Sequence, residues 1–95
     1  MRLSKYYIDS IKTTFESIFN EGTIYLFGSR VDDTKKGGDI DLFIEVEDKS
    51  DLFEKKIKFL SKLKRKIENQ KIDVIFNEDR TRLIEKEARK WAVPL

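Results

Sequence analysis

Between Asp39 and Val46 the chain alternates without a break: Ile40, Leu42, Ile44 and Val46 at even positions, Asp39, Asp41, Phe43 and Glu45 at odd ones. A period of two belongs to a β-strand, so the aliphatic set faces a core and Asp39 and Asp41 share the opposite face. Two carboxylates on neighbouring pleats repel each other and resist burial as charges. One reading is a half-exposed edge strand whose acidic residues block aggregation. The other is a seat for a divalent cation, and hard oxygen ligands suit Mg²⁺ or Mn²⁺. Upstream, Thr23 to Phe27 is β-branched and aromatic, bounded by Gly22 and Gly28, and reads as a second short strand. It runs into Gly28, Ser29 and Arg30, a turn whose amides and hydroxyl can hold phosphate. Cation and phosphate together point to nucleotide chemistry.

The inventory removes many alternatives. The chain has no cysteine and no histidine, which excludes disulfides, thiolate zinc sites, cysteine nucleophiles and imidazole acid–base catalysis. Any metal must be held by oxygen. Ninety-five residues suit a single domain, 1–95, with one modest core. The 39% hydrophobic content, with seven Phe, is enough to fold it despite 40% charged residues. A net charge of +2 does not announce a nucleic-acid binder. The N-terminus lacks the apolar core of a signal peptide and no run approaches transmembrane length, so no membrane role and a cytoplasmic home are expected.

Ser4 to Asn20 carries Ile8, Ile11, Phe15, Ile18 and Phe19 at helical spacing, with Ser4 as N-cap and Gly22 as the stop. Val31 to Gly38 is a polar loop ending in Gly37-Gly38, which either reverses the chain in a hairpin or folds over a bound triphosphate. Lys49 to Gln70 reads as the longest helix, capped by Ser50, with Leu52, Phe53, Ile57, Leu60, Leu63 and Ile67 inward and Phe59 to one side. From Lys49 to Lys71 there are nine Lys/Arg against three Asp/Glu, a solvated face by default and a dock for RNA or an acidic partner otherwise. Lys71 to Phe76 reads as a third strand in which Asp73 interrupts an apolar run, an unfavourable place for aspartate. If this strand lies beside the Asp39–Asp41 strand with matching faces, three carboxylates converge. Arg80 to Trp91 reads as a last helix with Leu83, Ile84, Ala88 and Trp91 apolar and Pro94 closing it. The resulting order is that of a small α/β (α+β) domain, a mixed sheet covered by helices.

Phe-Gly-Ser-Arg at 27–30, Asp-Ile-Asp-Leu at 39–42 and a strand-borne Asp73 after an intervening helix resemble the DNA polymerase beta-type nucleotidyltransferase superfamily, and within it the minimal nucleotidyltransferases. The resemblance implies the polymerase-beta-like fold. It implies that Asp39 and Asp41 bind two divalent ions, Mg²⁺ or Mn²⁺, and that Asp73 completes one metal site and helps activate the attacking hydroxyl. It gives Gly28, Ser29 and Arg30 to the triphosphate, and a reaction that transfers NMP, AMP from ATP foremost, with loss of pyrophosphate. Gly38 departs from the pattern, since many relatives carry a small hydroxyl residue there. Relatives of this size are commonly encoded beside a HEPN-type RNase toxin. There the nucleotidyltransferase is the antitoxin and adenylylates a tyrosine of its partner. The implied partner is therefore a HEPN-type protein, with the basic 49–71 helix and an exposed Phe43 as contact surfaces. Homo- and hetero-oligomers both stay open. The competing readings are a transferase acting on RNA ends or a small molecule, and a non-catalytic module that neutralises its partner by contact.

Overall fold

In the computed structural model, which describes residues 3–28, 39–68, 70–78 and 82–95, three helices and a four-stranded mixed sheet form an α+β fold. The elements run α1 (Lys5–Phe19), β1 (Thr23–Phe27), β2 (Ile40–Glu45), α2 (Leu52–Lys66), β3 (Ile72–Phe76), α3 (Leu83–Trp91) and β4 (Val93–Pro94). The sheet order is β3-β2-β1-β4. β2 is flanked by β1 antiparallel and by β3 parallel, the parallel step being the one that needs the α2 crossover.

Alternation decides what each face meets. Ile24 and Leu26 of β1, Ile40, Leu42 and Ile44 of β2, and Ile72, Val74 and Phe76 of β3 are buried on one face. Helices α1 and α2 close that face with Ile11, Phe15, Phe19, Phe59, Leu63 and Ile67. Phe19 sits among Phe15, Phe59 and Phe76, with ring centroids 5.3, 6.1 and 5.8 Å away. Burying such side chains supplies about 1.5–3 kcal/mol each against the entropy of ordering them.

Ser4 caps α1, its Oγ accepting from the Tyr7 amide at 3.1 Å. The helix ends on Asn20 in the left-handed region (φ 60°) rather than at Gly22, which turns the chain two residues later. A Cβ on Gly22 would run into the Glu45 carbonyl oxygen, so glycine there lets β1 start against the end of β2.

Helix α2 differs from its sequence expectation at both its start and its buried face. Ser50 does not cap it. Its amide and hydroxyl donate to Asp48 Oδ1 (2.9 and 2.6 Å), which holds the Asp48 carboxyl below its ordinary pKa, and Asp51 at φ 56° makes the entry. Phe59 is fully buried, whereas Phe53 and Ile57 are 74% and 49% exposed. The buried residues Phe59, Leu63 and Ile67 follow a spacing of four, and Phe53 and Ile57 lie on the next row round the helix.

The last helix differs more. Ala88 and Glu85 are buried, while Leu83, Ile84 and Trp91 are exposed. Helix α3 lies on the second face of the sheet, where β2 presents polar groups, so its polar side is the one that packs. Pro94 does not simply stop the helix. Val93 and Pro94 pair with Leu26 and Tyr25 as an edge strand, a position proline tolerates. Among the described residues no helix is long and apolar enough to cross a membrane.

Candidate active site

The second sheet face is built in rows. Phe27, Asp41 and Asp73 are Cα partners across β1, β2 and β3, and Tyr25, Phe43 and Ile75 make the next row. Glu45 lies one row further on, opposite Thr23. Because neighbouring strands lie about 4.8 Å apart and paired residues share a face, Asp41 and Asp73 project side by side. Asp39 precedes β2 and stands on the same face, two residues before Asp41.

The carboxylates feel one another. The Asp41 carboxyl, half-buried, is pushed above the ordinary aspartate range, first by loss of solvent, then by the charges of Asp73 and Asp39, with Lys71 pulling the other way. Lys71 occupies the position before β3 that matches Asp39 before β2. Its Nζ is 4.0 Å from Asp39 Oδ2, and its carbonyl accepts from the Ile40 amide at 2.9 Å. This cation was absent from the residues singled out by sequence. Its signal was available, since Lys71 precedes Asp73 by the same two residues that separate Asp39 from Asp41.

Gly28 joins the site from the end of β1. It adopts φ +80°, and a Cβ there would run into Asp41 Oδ2 and come within 3.1 Å of its Cγ. Glycine is required on two counts: left-handed backbone, and direct backbone approach to a carboxylate. Ser29, Arg30 and the loop through Gly38 lie outside the described residues. Asp39, Asp41, Asp73 and Gly28 are therefore brought to one end of one face.

The donor chemistry of this end fits a divalent cation. Among the described residues its donors are the carboxylates of Asp39, Asp41 and Asp73 against the cation of Lys71, and the raised Asp41 carboxyl is what a further cation would relieve. Among the described residues no group of three acidic side chains is close enough to hold an ion as a set, so the fit is one of donor type and strand register.

The other end of the face is closed. Phe43, expected to be exposed, is only 2% accessible. Tyr25 covers it from one side and the Arg89 guanidinium from above, 5.3 Å from the ring centroid. Arg89 also reaches Glu45 Oε2 at 3.0 Å and the buried Glu85 at 3.5 Å. The Glu85–Arg89 spacing of four was legible in the sequence as a helical ion pair, though not its burial. With Phe43 covered, the surface it was expected to offer a partner is gone. On the helical side of the molecule, Lys55, Lys58, Lys62 and Arg65 of α2 line a groove of about 540 Å³ with Ser17 and Ile18 of α1.

Comparison with known proteins adds one result. The profile described as "Nucleotidyltransferase domain" matches residues 8–92, from the first turn of α1 to the residue after α3. No curated protein matches the chain significantly.

Proposed function

The chain belongs to the nucleotidyltransferase domain family, and on that premise we propose that it transfers AMP from ATP to a hydroxyl of a partner protein. The transfer of a nucleoside monophosphate belongs to the family; the protein acceptor is the part we propose. The observation that carries it is the in-register pair Asp41 and Asp73, with Gly28 packed against the first of them.

Asp39, Asp41 and Asp73 would hold the divalent cations, Mg²⁺ or Mn²⁺, which when bound neutralise the triphosphate and the leaving pyrophosphate. Gly28, whose backbone approaches Asp41, would offer its amide to a phosphate oxygen there, and Ser29 and Arg30 follow it directly in the chain. Asp73, exposed on the outer strand of the sheet, would take the proton of the acceptor hydroxyl. The acceptor oxygen forms a bond to the α-phosphorus as the bond to the β-phosphate bridge breaks. The products are the AMP-modified hydroxyl, pyrophosphate and a proton.

The resemblance of Phe27–Arg30, Asp39–Leu42 and Asp73 to the minimal nucleotidyltransferases favours a protein acceptor that brings its own binding surface. We place a HEPN-type toxin in that role, with this chain as its antitoxin. The test is label transfer from ATP labelled at the α-phosphate, with Mg²⁺, in a cell lysate containing the neighbouring gene products. Label on a protein from α-labelled but not γ-labelled ATP, lost with Asp39→Asn/Asp41→Asn, supports the reading. Label on RNA alone would replace the acceptor class. No transfer, with partner binding that survives the substitutions, would make the chain a neutralising module.

A further inference from the structure

Among the described residues no strand lies on the outer side of β3, directly beside Asp73. β3 is the outer strand, paired only with β2 among the described residues. The Ile40 amide donates to the Lys71 carbonyl and the Asn77 amide to the Ile44 carbonyl. In a parallel ladder of this register, residues 71, 73, 75 and 77 turn their backbone groups towards β2. Ile72, Val74 and Phe76 therefore turn theirs outward.

A groove of about 360 Å³ runs along this edge. Val74 and Phe76 point to the helical face of the sheet and Ile75 to the other, yet all three line the same groove. A groove that lies over the edge can touch both. Its remaining walls carry Phe53, Lys56 and Arg82, with Glu78 the one acidic side chain among the eight lining residues. Phe53 is 74% exposed, as is Leu83 next to Arg82, so an apolar seat and two cations border a row of outward backbone groups.

We propose that the acceptor protein docks as an extended segment that adds a strand to β3, with its hydroxyl residue beside Asp73 and acidic residues against Lys56 and Arg82. This rests on the function proposed above. An added strand lies about 4.8 Å from β3, and its side chains alternate in step with those of β3. The residue beside Asp73 therefore projects onto the face that carries Asp41 and Asp39, while its neighbours point towards the groove walls. Backbone pairing supplies affinity with little demand on sequence. The cations and Phe53 select an acidic, partly apolar segment.

The experiment is the same label transfer in lysate, with wild type compared to Val74→Pro and to Phe53→Asp/Arg82→Glu. Proline at Val74 removes an outward amide and blocks the edge while sparing the ladder to β2. The second variant changes two exposed side chains and guards against misfolding of the first. Thermal unfolding checks that each variant folds and is still stabilised by Mg²⁺ with ATP. The expected result is folded, nucleotide-binding variants with protein labelling reduced at least ~10-fold. Undiminished labelling by either folded variant would overturn the proposal. So would a wild-type dimer in sedimentation that Val74→Pro dissolves, since the edge would then pair with a second copy. If wild type labels no protein, the function reading has failed first and the docking proposal falls with it.

Discussion

The two ends of the second sheet face solve the same problem in opposite ways. Both carry acidic residues of β2 at alternate positions, Glu45 at one end and Asp41 at the other. At the Glu45 end, α3 lays Arg89 between Glu45 and Glu85 and over Phe43, so every charge has a partner and the row is covered. At the Asp41 end, like charge faces like charge, and among the described residues the exposed Lys71 offsets it. A paired, covered row serves packing. A row of like charge held half out of water costs stability, a cost that a bound cation would relieve.

The largest effect should come from the open end. Replacing Asp41 or Asp73 by Asn should lower nucleotidyl transfer on the order of 10³-fold, roughly 4 kcal/mol, with the fold retained by circular dichroism. Wild-type rates from either variant would remove the Asp41–Asp73 pair from the chemistry.

The closed end should show the reverse pattern, a stability effect. Arg89→Ala withdraws the cation from Glu85, which is fully buried, and uncovers Phe43. Breaking a buried ion pair costs about 3–5 kcal/mol, and the partial exposure of Arg89 and Glu45 places this case near the lower figure. Urea unfolding should register that loss. A change below ~1 kcal/mol would mean the two ends are less different than drawn.

Gly28→Ala probes the join between β1 and the open end. A methyl group there meets both an unfavourable backbone region and the Asp41 carboxylate, so a loss of about 1–2 kcal/mol is expected. Transfer should fall with it, because Asp41 must move. An unchanged melting temperature with unchanged transfer would show that Gly28 does not shape the site.

The smallest effect concerns pH. The Asp41 carboxyl titrates above its unfolded value, so the native state holds its proton more tightly. Its contribution to stability is fully present below the unfolded pKa, near 3.8, and is lost as pH rises through the raised folded value. Asp41→Asn should therefore raise the melting temperature at pH 7 by a few degrees, with ~4–8 °C corresponding to each kcal/mol in a domain this size. The gain should vanish below about pH 3.8. Mg²⁺ should stabilise wild type more than the variant. A variant less stable than wild type at pH 7 would contradict the repulsion inferred for this row.

Much of this contrast was already readable along the chain. β1 was expected with its observed bounds, β2 and β3 within about one residue at either end, and Asp39 and Asp41 on the face opposite Ile40 and Leu42. Phe43 was misjudged for a clear reason. Alternation says which face a residue is on, and nothing about whether a distant helix covers it. Phe53, Ile57, Leu83, Ile84 and Trp91 were assigned to the core because they are apolar at helical spacing, yet they are exposed. On α2, Leu63 and Ile67 are buried as expected, and Phe59, packed against Phe19 of α1, joins them in place of Phe53 and Ile57. On α3, the face turned to β2 had to match Glu45, so Arg89 and Glu85 went inward.

The sequence by itself determined the strand periodicity, the first helix with its Ser4 cap, the oxygen-only donor set and the shared face of Asp39 and Asp41. These follow from chain geometry within a few residues and need no partner. Only the tertiary structure decided that Asp73 lies opposite Asp41, that Gly28 abuts its carboxylate, that Val93 and Pro94 complete the sheet and that Phe43 is covered. Strand register, and the choice of which helix face is buried, depend on contacts between segments far apart in the chain, and no local pattern encodes them.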